Sequence, residues 1–257
     1  MLLCLDIGNT HILGGVFDQD NVIARFRYAT HLIGTSDQFG IFLIHILQAN
    51  HIDPKTINAA AVCSVVPGHD FTIKHAVTAY LGHISYFVLH AGVSTKLTIQ
   101  YKNPNELGAD ILAGAIGGIH AYPKNNLIII DMGTATTLCA ITKTHSFLGG
   151  AILPGMRLSM EALKINTAKL MEVSIEPPST YIGSITKNCI QSGLYFGQMG
   201  ALKEIIQGVN QEAFPEEPAV IIGTGGFAQL YKDKGLFDVI LPDLVLQGIH
   251  QAYQDSL

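Results

Sequence analysis

The sequence predicts an α/β fold made of two duplicated βββαβα lobes with a ligand cleft between them. The segments Leu3-Cys4-Leu5-Asp6-Ile7-Gly8-Asn9-Thr10 and Ile128-Ile129-Ile130-Asp131-Met132-Gly133-Thr134-Ala135-Thr136-Thr137 read almost alike, each an apolar strand ending in Asp-x-Gly-(Asn/Thr). The periodic segments after each of them come in the same order. A chain of 257 residues is long enough for two lobes of roughly 120 residues that each bury a core.

In the first half, alternation and breakers predict strands over 11–17 and 22–28 joined by a turn at 18–21, then a helix over 36–50. A strand over 57–65 comes next, broken by Pro67 and Gly68, then a helix reaching 81 and a strand over 85–89. The second half repeats this from Leu127: strands over 127–131, 137–142 and 146–152, a helix over 185–207, a strand over 219–222, and a helix after Gly226. Each element carries its own periodicity and its own breakers, so matched order is stronger evidence of duplication than the short motif alone. Between the halves, the small residues from Gly108 to Gly118 predict a closely packed helix over 111–122 that Asp110 opens as its N-cap. The lobes are expected to span 1–118 and 119–257.

Only 14% of residues are charged and 48% are apolar, so much apolar area must be buried in the core or between subunits, which predicts an oligomer. The net charge of −5, with Lys and Arg scattered, offers no basic stripe for a nucleic-acid backbone. The apolar N-terminus lacks a positive flank and Asp6 interrupts it early, unlike a signal peptide, and no clean span of about 20 apolar residues comes after it. Cys4, Cys63, Cys139 and Cys189 are widely separated and read as reduced core residues. The 11 histidines form no spaced metal motif. The expectation is a soluble cytoplasmic protein that binds neither nucleic acid nor membrane.

An Asp-x-Gly turn on its own is an ordinary turn. Two of them facing one cleft would place two carboxylates beside a magnesium-bound phosphate ligand, with glycine allowing close backbone approach and the amides beyond it holding phosphate oxygens. A third cluster, Val220-Ile221-Ile222-Gly223-Thr224-Gly225-Gly226-Phe227, again ends an apolar strand and precedes a predicted helix. It reads equally as a plain strand-to-helix turn or as a seat for a nucleobase or ribose, since it lacks the full dinucleotide spacing.

These three turns together resemble the acetate and sugar kinase, Hsc70 and actin superfamily, with its ribonuclease H-like lobes, and within it the chain resembles the type III pantothenate kinases. The resemblance is carried by the two Asp turns and by Ser64-Val65-Val66-Pro67, Tyr101-Lys102-Asn103-Pro104, Gly108-Ala109-Asp110, Gly149-Gly150-Ala151-Ile152-Leu153-Pro154-Gly155, Ile190-Gln191-Ser192-Gly193 and Thr224-Gly225-Gly226. It implies an actin-like ATPase fold with ATP in the cleft, and phosphorylation of pantothenate to 4'-phosphopantothenate, the first step toward coenzyme A.

By the same resemblance Asp6, Ile7, Gly8, Asn9, Thr10, His11, Ile12 and Leu13 form the first phosphate loop, with Asp6 reaching Mg2+ through water. Thr134 contacts ATP, and Asp131 binds a monovalent cation, K+ or NH4+. Asp110 is the implied general base. Tyr101, Gly108, Ala109, Asp110, Ile111 and Thr186 hold pantothenate in a pocket closed by the partner of a homodimer. Each has a plainer reading as well: Asp131 as a turn cap, Tyr101 as a strand-edge aromatic, and Asp110 as a helix cap whose pKa the helix terminus would lower. One departure stands out, since the family continues Gly-Ala-Asp with Arg and, three positions later, Asn, where this chain has Ile111 and Gly114. From sequence alone a kinase of the same fold for another small alcohol or acid, and a non-catalytic ATP-binding regulator, remain open beside the pantothenate reading.

Overall fold

Strand β1 (Leu2–Ile7) is buried at every position, the pattern of a strand covered on both faces. The computed structural model describes residues 1–82, 84–93 and 96–257 and divides the chain into one unit of Met1–Ala121 with Asp243–Leu257 and a second of Tyr122–Pro242.

In the first unit β1 is followed by β2 (His11–Asp18), β3 (Asn21–Ala29), α1 (Ser36–Ala49), β4 (Ala59–Ser64), α2 (Pro67–Leu81), β5 (Ser85–Val88), the two-residue β6 (Thr98–Ile99) and α3 (Ala109–Ala121). The main sheet has the order β3-β2-β1-β4-β5. The first three strands are antiparallel neighbours, and β1, β4 and β5 run parallel. A capping box starts α1: Thr35 accepts from the Gln38 amide while the Gln38 side chain takes the Thr35 amide, satisfying two donors that the helix leaves orphaned. Leu3, Leu5 and Ile7 then pack with Phe39, Leu43, Ile73 and Val77, so one face of β1 meets α1 and α2.

The second unit contains β7 (Leu127–Met132), β8 (Ala135–Ile141), β9 (Ser146–Pro154), α4 (Met156–Asn166), α5 (Thr186–Ala213), β10 (Val220–Thr224) and β11 (Val239–Ile240). Its strand order is β9-β8-β7-β10-β11, with β7, β8 and β9 antiparallel and β7, β10 and β11 parallel. Strand for strand this is the arrangement of the first unit, so the duplication extends to topology and direction. Ile128, Ile130 and Met132 pack with Tyr195, Leu202 and Ile206 of α5.

The final helix, α6 (Leu244–Asp255), returns to the first unit, so the division differs from one at 118/119. It crosses α3 where glycines replace side chains: a Cβ on Gly248 would lie 1.7 Å from the Ala113 carbonyl oxygen, and one on Gly117 2.4 Å from that of Leu244. Arg25 binds the Asp243 carboxylate through two hydrogen bonds of 2.8 and 2.7 Å, and Lys96 bonds Asp255 at 2.9 Å.

Three further corrections concern local structure. No α-helix comes directly after Gly226; a short 3-10 turn, Ala228–Tyr231, takes its place, because Asp233 and Gly235 adopt positive φ values of 60° and 62° that an α-helix does not admit. Helix α3 begins at Ala109, so Asp110 lies in its first turn rather than at the cap. Cys4, Cys63 and Cys139 are buried, but Cys189 is exposed. Among the described residues, no helix is long and apolar enough to cross a membrane.

Candidate active site

The first Asp turn is built at the end of β1. Asp6 is the last residue but one of the strand and is only 9% exposed. Beyond it the chain reverses through Gly8, Asn9 and Thr10 into β2. The Gly8 amide donates to the His11 carbonyl at 3.1 Å, and a Cβ on Gly8 would stand 3.0 Å from that oxygen. Thr30 braces the turn from the end of β3: its hydroxyl donates to the Gly8 carbonyl at 2.7 Å and its amide to that of Thr10 at 3.0 Å. Ile12 is buried and Leu13 half-buried, whereas Asn9 and His11 are exposed. The backbone of this loop is therefore fixed from behind and open in front.

Asp110 belongs to the same unit. It is half-buried, and its Oδ1 accepts the Ile111 amide at 2.8 Å while its own amide also contributes. These amides favour the charged form, yet burial outweighs them and holds the carboxyl above its ordinary value. This direction is opposite to the lowered pKa expected of a helix cap, because desolvation outweighs the two backbone hydrogen bonds. A Cβ on Gly108 would stand 2.5 Å from Asp110 Oδ1, so a side chain there would displace the carboxylate. Ala109 and Ile111 are half-buried neighbours in the same turn, and Tyr101 is half-buried in the segment after β6.

Asp6 and Asp110 share a charge neighbourhood. Both carboxylates raise the pKa of the fully buried Cys63 thiol, on top of the larger effect of burial. Cys63 is the functional candidate that sequence reasoning passed over as core. Its only signal was position, immediately before Ser64-Val65-Val66-Pro67.

The second unit gathers the other set. Asp131 lies half-buried near the end of β7, and the Gly133 amide donates to the Ala135 carbonyl at 3.0 Å across a turn that leaves Thr134 exposed. Two glycines from elsewhere fit against this turn. Gly155 donates its amide to the Thr134 carbonyl at 3.1 Å, and a Cβ there would be 2.2 Å from that oxygen. Gly225, at φ +84°, would place a Cβ 2.2 Å from Asp131 Oδ1. The second Asp turn and the Thr224-Gly225-Gly226 cluster are thus one construction, joined also by the bond from the Phe227 amide to the Met132 carbonyl at 3.1 Å. Thr186 stands apart from them, exposed at the start of α5 on the rim of an apolar cavity of about 930 Å³.

Comparison with known proteins bears on the family and the fold. The chain is similar to a type III pantothenate kinase of Legionella pneumophila (strain Corby), 51% identical over 252 residues and covering 98% of each chain. Its fold is similar to that of a proposed Baf family transcriptional activator from Campylobacter jejuni, with TM-score 0.61 at 18% identity over 98% of both chains. It is also similar to that of a proposed sugar kinase from Cytophaga hutchinsonii, with TM-score 0.52 at 11% identity over 99% of both. Both likenesses show a shared fold of two α/β lobes. A family model described as "Type III pantothenate kinase" matches residues 2–208, a span that holds both Asp turns, the Gly-Ala-Asp turn and Thr186, and on these grounds the chain belongs to the type III pantothenate kinase family.

Proposed function

We propose that the protein transfers the γ-phosphoryl group of ATP to the primary hydroxyl of pantothenate, with Asp110 as the general base. The observation that carries this reading is a half-buried Asp110 carboxyl, raised in pKa, in the same charge neighbourhood as Asp6. Phosphoryl transfer needs little covalent help from the protein, so positioning and charge stabilisation dominate. Asp110 accepts the hydroxyl proton as the acceptor oxygen attacks phosphorus and the β–γ bridging bond breaks toward ADP.

The first loop would hold phosphate oxygens through backbone amides of the turn beyond Gly8, whose own amide is taken by the His11 carbonyl. Among the described residues no three His, Cys, Asp or Glu side chains gather into a metal cage. A single carboxylate such as Asp6 suits Mg2+, which keeps its waters and is held largely by substrate phosphates. The Asp131 carboxylate, with the Gly225 backbone close by, would suit a large monovalent cation, which would place positive charge beside the polyphosphate. Thr134 would contact ATP. Tyr101, Gly108, Ala109, Ile111 and Thr186 would line the pantothenate pocket.

A homodimer is part of this reading. Leu158, Leu163 and Leu170 line the cavity between α4 and α5, and Ile165, Ile182 and Ile185 are exposed nearby at 78%, 88% and 59%, more apolar surface than an isolated chain leaves open. Four unpaired cysteines suit the reducing cytoplasm.

A coupled ADP-release assay with pantothenate and a panel of small hydroxy acids and alcohols tests the reading. Pantothenate is expected to give the highest kcat/KM, and a preferred rival acceptor would refute it. The rate is expected to be highest with K+ or NH4+, lower with Na+, and lowest in Tris with Mg2+ alone at matched ionic strength. Full rate under the last condition would remove the cation from Asp131.

The half-buried Ile111 stands where the family places Arg. In Ile111→Arg, a charged bond to the pantothenate carboxylate worth about 1.5–3 kcal/mol is expected to lower KM by roughly one to two decades. Unchanged KM in a variant that melts like the parent would mean that another group already holds the carboxylate.

A further inference from the structure

Cys63 is placed where it can act on the first phosphate turn. Strands β1 and β4 run parallel with Asp6 and Cys63 as register partners. Cys63 is 0% exposed, and its Sγ donates to Asp6 Oδ1 at 3.3 Å. This bond links side chains 57 positions apart in sequence and engages one of the two oxygens of the Asp6 carboxylate.

The second unit repeats the placement. There Asp131 has Thr224 of β10 as its register partner, and Thr224 is 2% exposed. The preceding residues of β4 are Ala59-Ala60-Ala61-Val62 and those of β10 are Val220-Ile221-Ile222-Gly223, all apolar or glycine. Both strands change to a small side chain carrying a polar hydrogen, S–H or O–H, at the position beside the Asp. Packing alone would be met by another Ala or Val.

A thiol suits this position. It is small enough to sit between the sheet and its covering layer at 0% exposure while still carrying a hydrogen that reaches Asp6 Oδ1. A carboxylate torsion is broad and roughly two-fold, and a fixed donor on Oδ1 removes that freedom. As a weak donor, the thiol withdraws little negative charge from the carboxylate.

We propose that Cys63 is a positioning residue for the kinase reaction, holding the Asp6 carboxylate in the orientation in which it serves magnesium-ATP. This rests on the reading that Asp6 serves magnesium-ATP. The consequence is a defect confined to that substrate when the donor is removed.

The test uses the full chain with the variants Cys63→Ala, Cys63→Ser, Asp6→Asn and Asp6→Asn/Cys63→Ala, measuring saturation by Mg2+, ATP and pantothenate alongside thermal melts. For Cys63→Ala, kcat/KM for magnesium-ATP is expected to fall about three- to tenfold, the range of one hydrogen bond, with KM for pantothenate unchanged. Cys63→Ser keeps a donor and is expected to recover to within about twofold of the parent, even if a buried hydroxyl lowers its melting temperature. Adding Cys63→Ala to Asp6→Asn is expected to cause no further loss, the mark of two residues acting as one unit. Parental kinetics in Cys63→Ala, losses that follow melting temperature in both Cys63 variants, or additive losses in the double variant would each overturn the proposal. Asp6→Asn separates the two levels: if it retains parental Mg2+ and ATP saturation, the reading of Asp6 fails and the proposal with it. If it loses them while Cys63→Ala does not, the proposal alone fails.

Discussion

Asp110→Asn is expected to lower kcat by about 10²–10⁴-fold, the range contributed by a positioned general base, while leaving ATP affinity near the parental value. The side chains are nearly equal in shape, and Asn can still accept the Ile111 amide that Asp110 takes at 2.8 Å, so the first turn of α3 is preserved. Parental kcat would remove Asp110 from the mechanism. The raised pKa adds a second expectation. A carboxyl whose folded-state pKa lies above its unfolded value binds its proton more tightly in the native state, so its contribution to stability is present below the ordinary Asp range and is lost as pH rises through the folded value. At neutral pH the ionised Asp110 therefore destabilises the fold, and the neutral Asn variant is expected to melt higher than the parent, with the advantage vanishing at acid pH. The acid limb of the parental kcat profile is likewise expected above the ordinary carboxylate value. A variant that melts lower at neutral pH, or a parental acid limb at that ordinary value, would show that burial does not control this carboxyl.

Gly248→Ala is expected to destabilise the first unit by about 3 kcal/mol, the upper end for overpacking, or about 6–12 °C in Tm for a chain of this size. Helix propensity argues the opposite, since Ala is favoured over Gly by about 1 kcal/mol in a helix interior. Sterics decide the sign because the new Cβ would lie 1.7 Å from the Ala113 carbonyl oxygen, and neither backbone can yield without separating α3 from α6. Gly208→Ala in α5 is the matched control. Nothing lies within 4 Å of its Cβ position, so propensity acts alone and a gain of about 0.5–1 kcal/mol is expected. Thermal melts of both variants check the pair; equal shifts would mean that the α3–α6 crossing relaxes freely.

Elements whose signals are local were readable from sequence. Both Asp turns end apolar strands, and the repeated βββαβα order along the chain carried the duplication of the two units. Signals from distant residues were not readable. Which unit buries the final helix depends on Gly117 and Gly248 meeting, a contact between residues far apart in sequence. The helix expected after Gly226 fails because backbone conformations at Asp233 and Gly235 intervene. Asp110 is visible as a candidate base, yet the direction of its pKa shift depends on packing around α3. Cys63 looks like any apolar core cysteine until the β1–β4 register sets it beside Asp6.

The return of α6 to the first unit sets an order on biosynthesis. A ribosome releases β1 to α3 first, then the residues of the second unit, Tyr122–Pro242, and only afterwards the helix that completes the first. At typical elongation rates the intervening segment of roughly 120 residues takes about 6–24 s to make. Throughout that interval the face of α3 around Ala113 and Gly117, against which Leu244 and Gly248 will pack, lacks that helix, while the second unit can already form its own sheet. The portion translated first is therefore the last to become native, and its nascent chain is exposed to chaperones and proteases for seconds longer than the portion made after it.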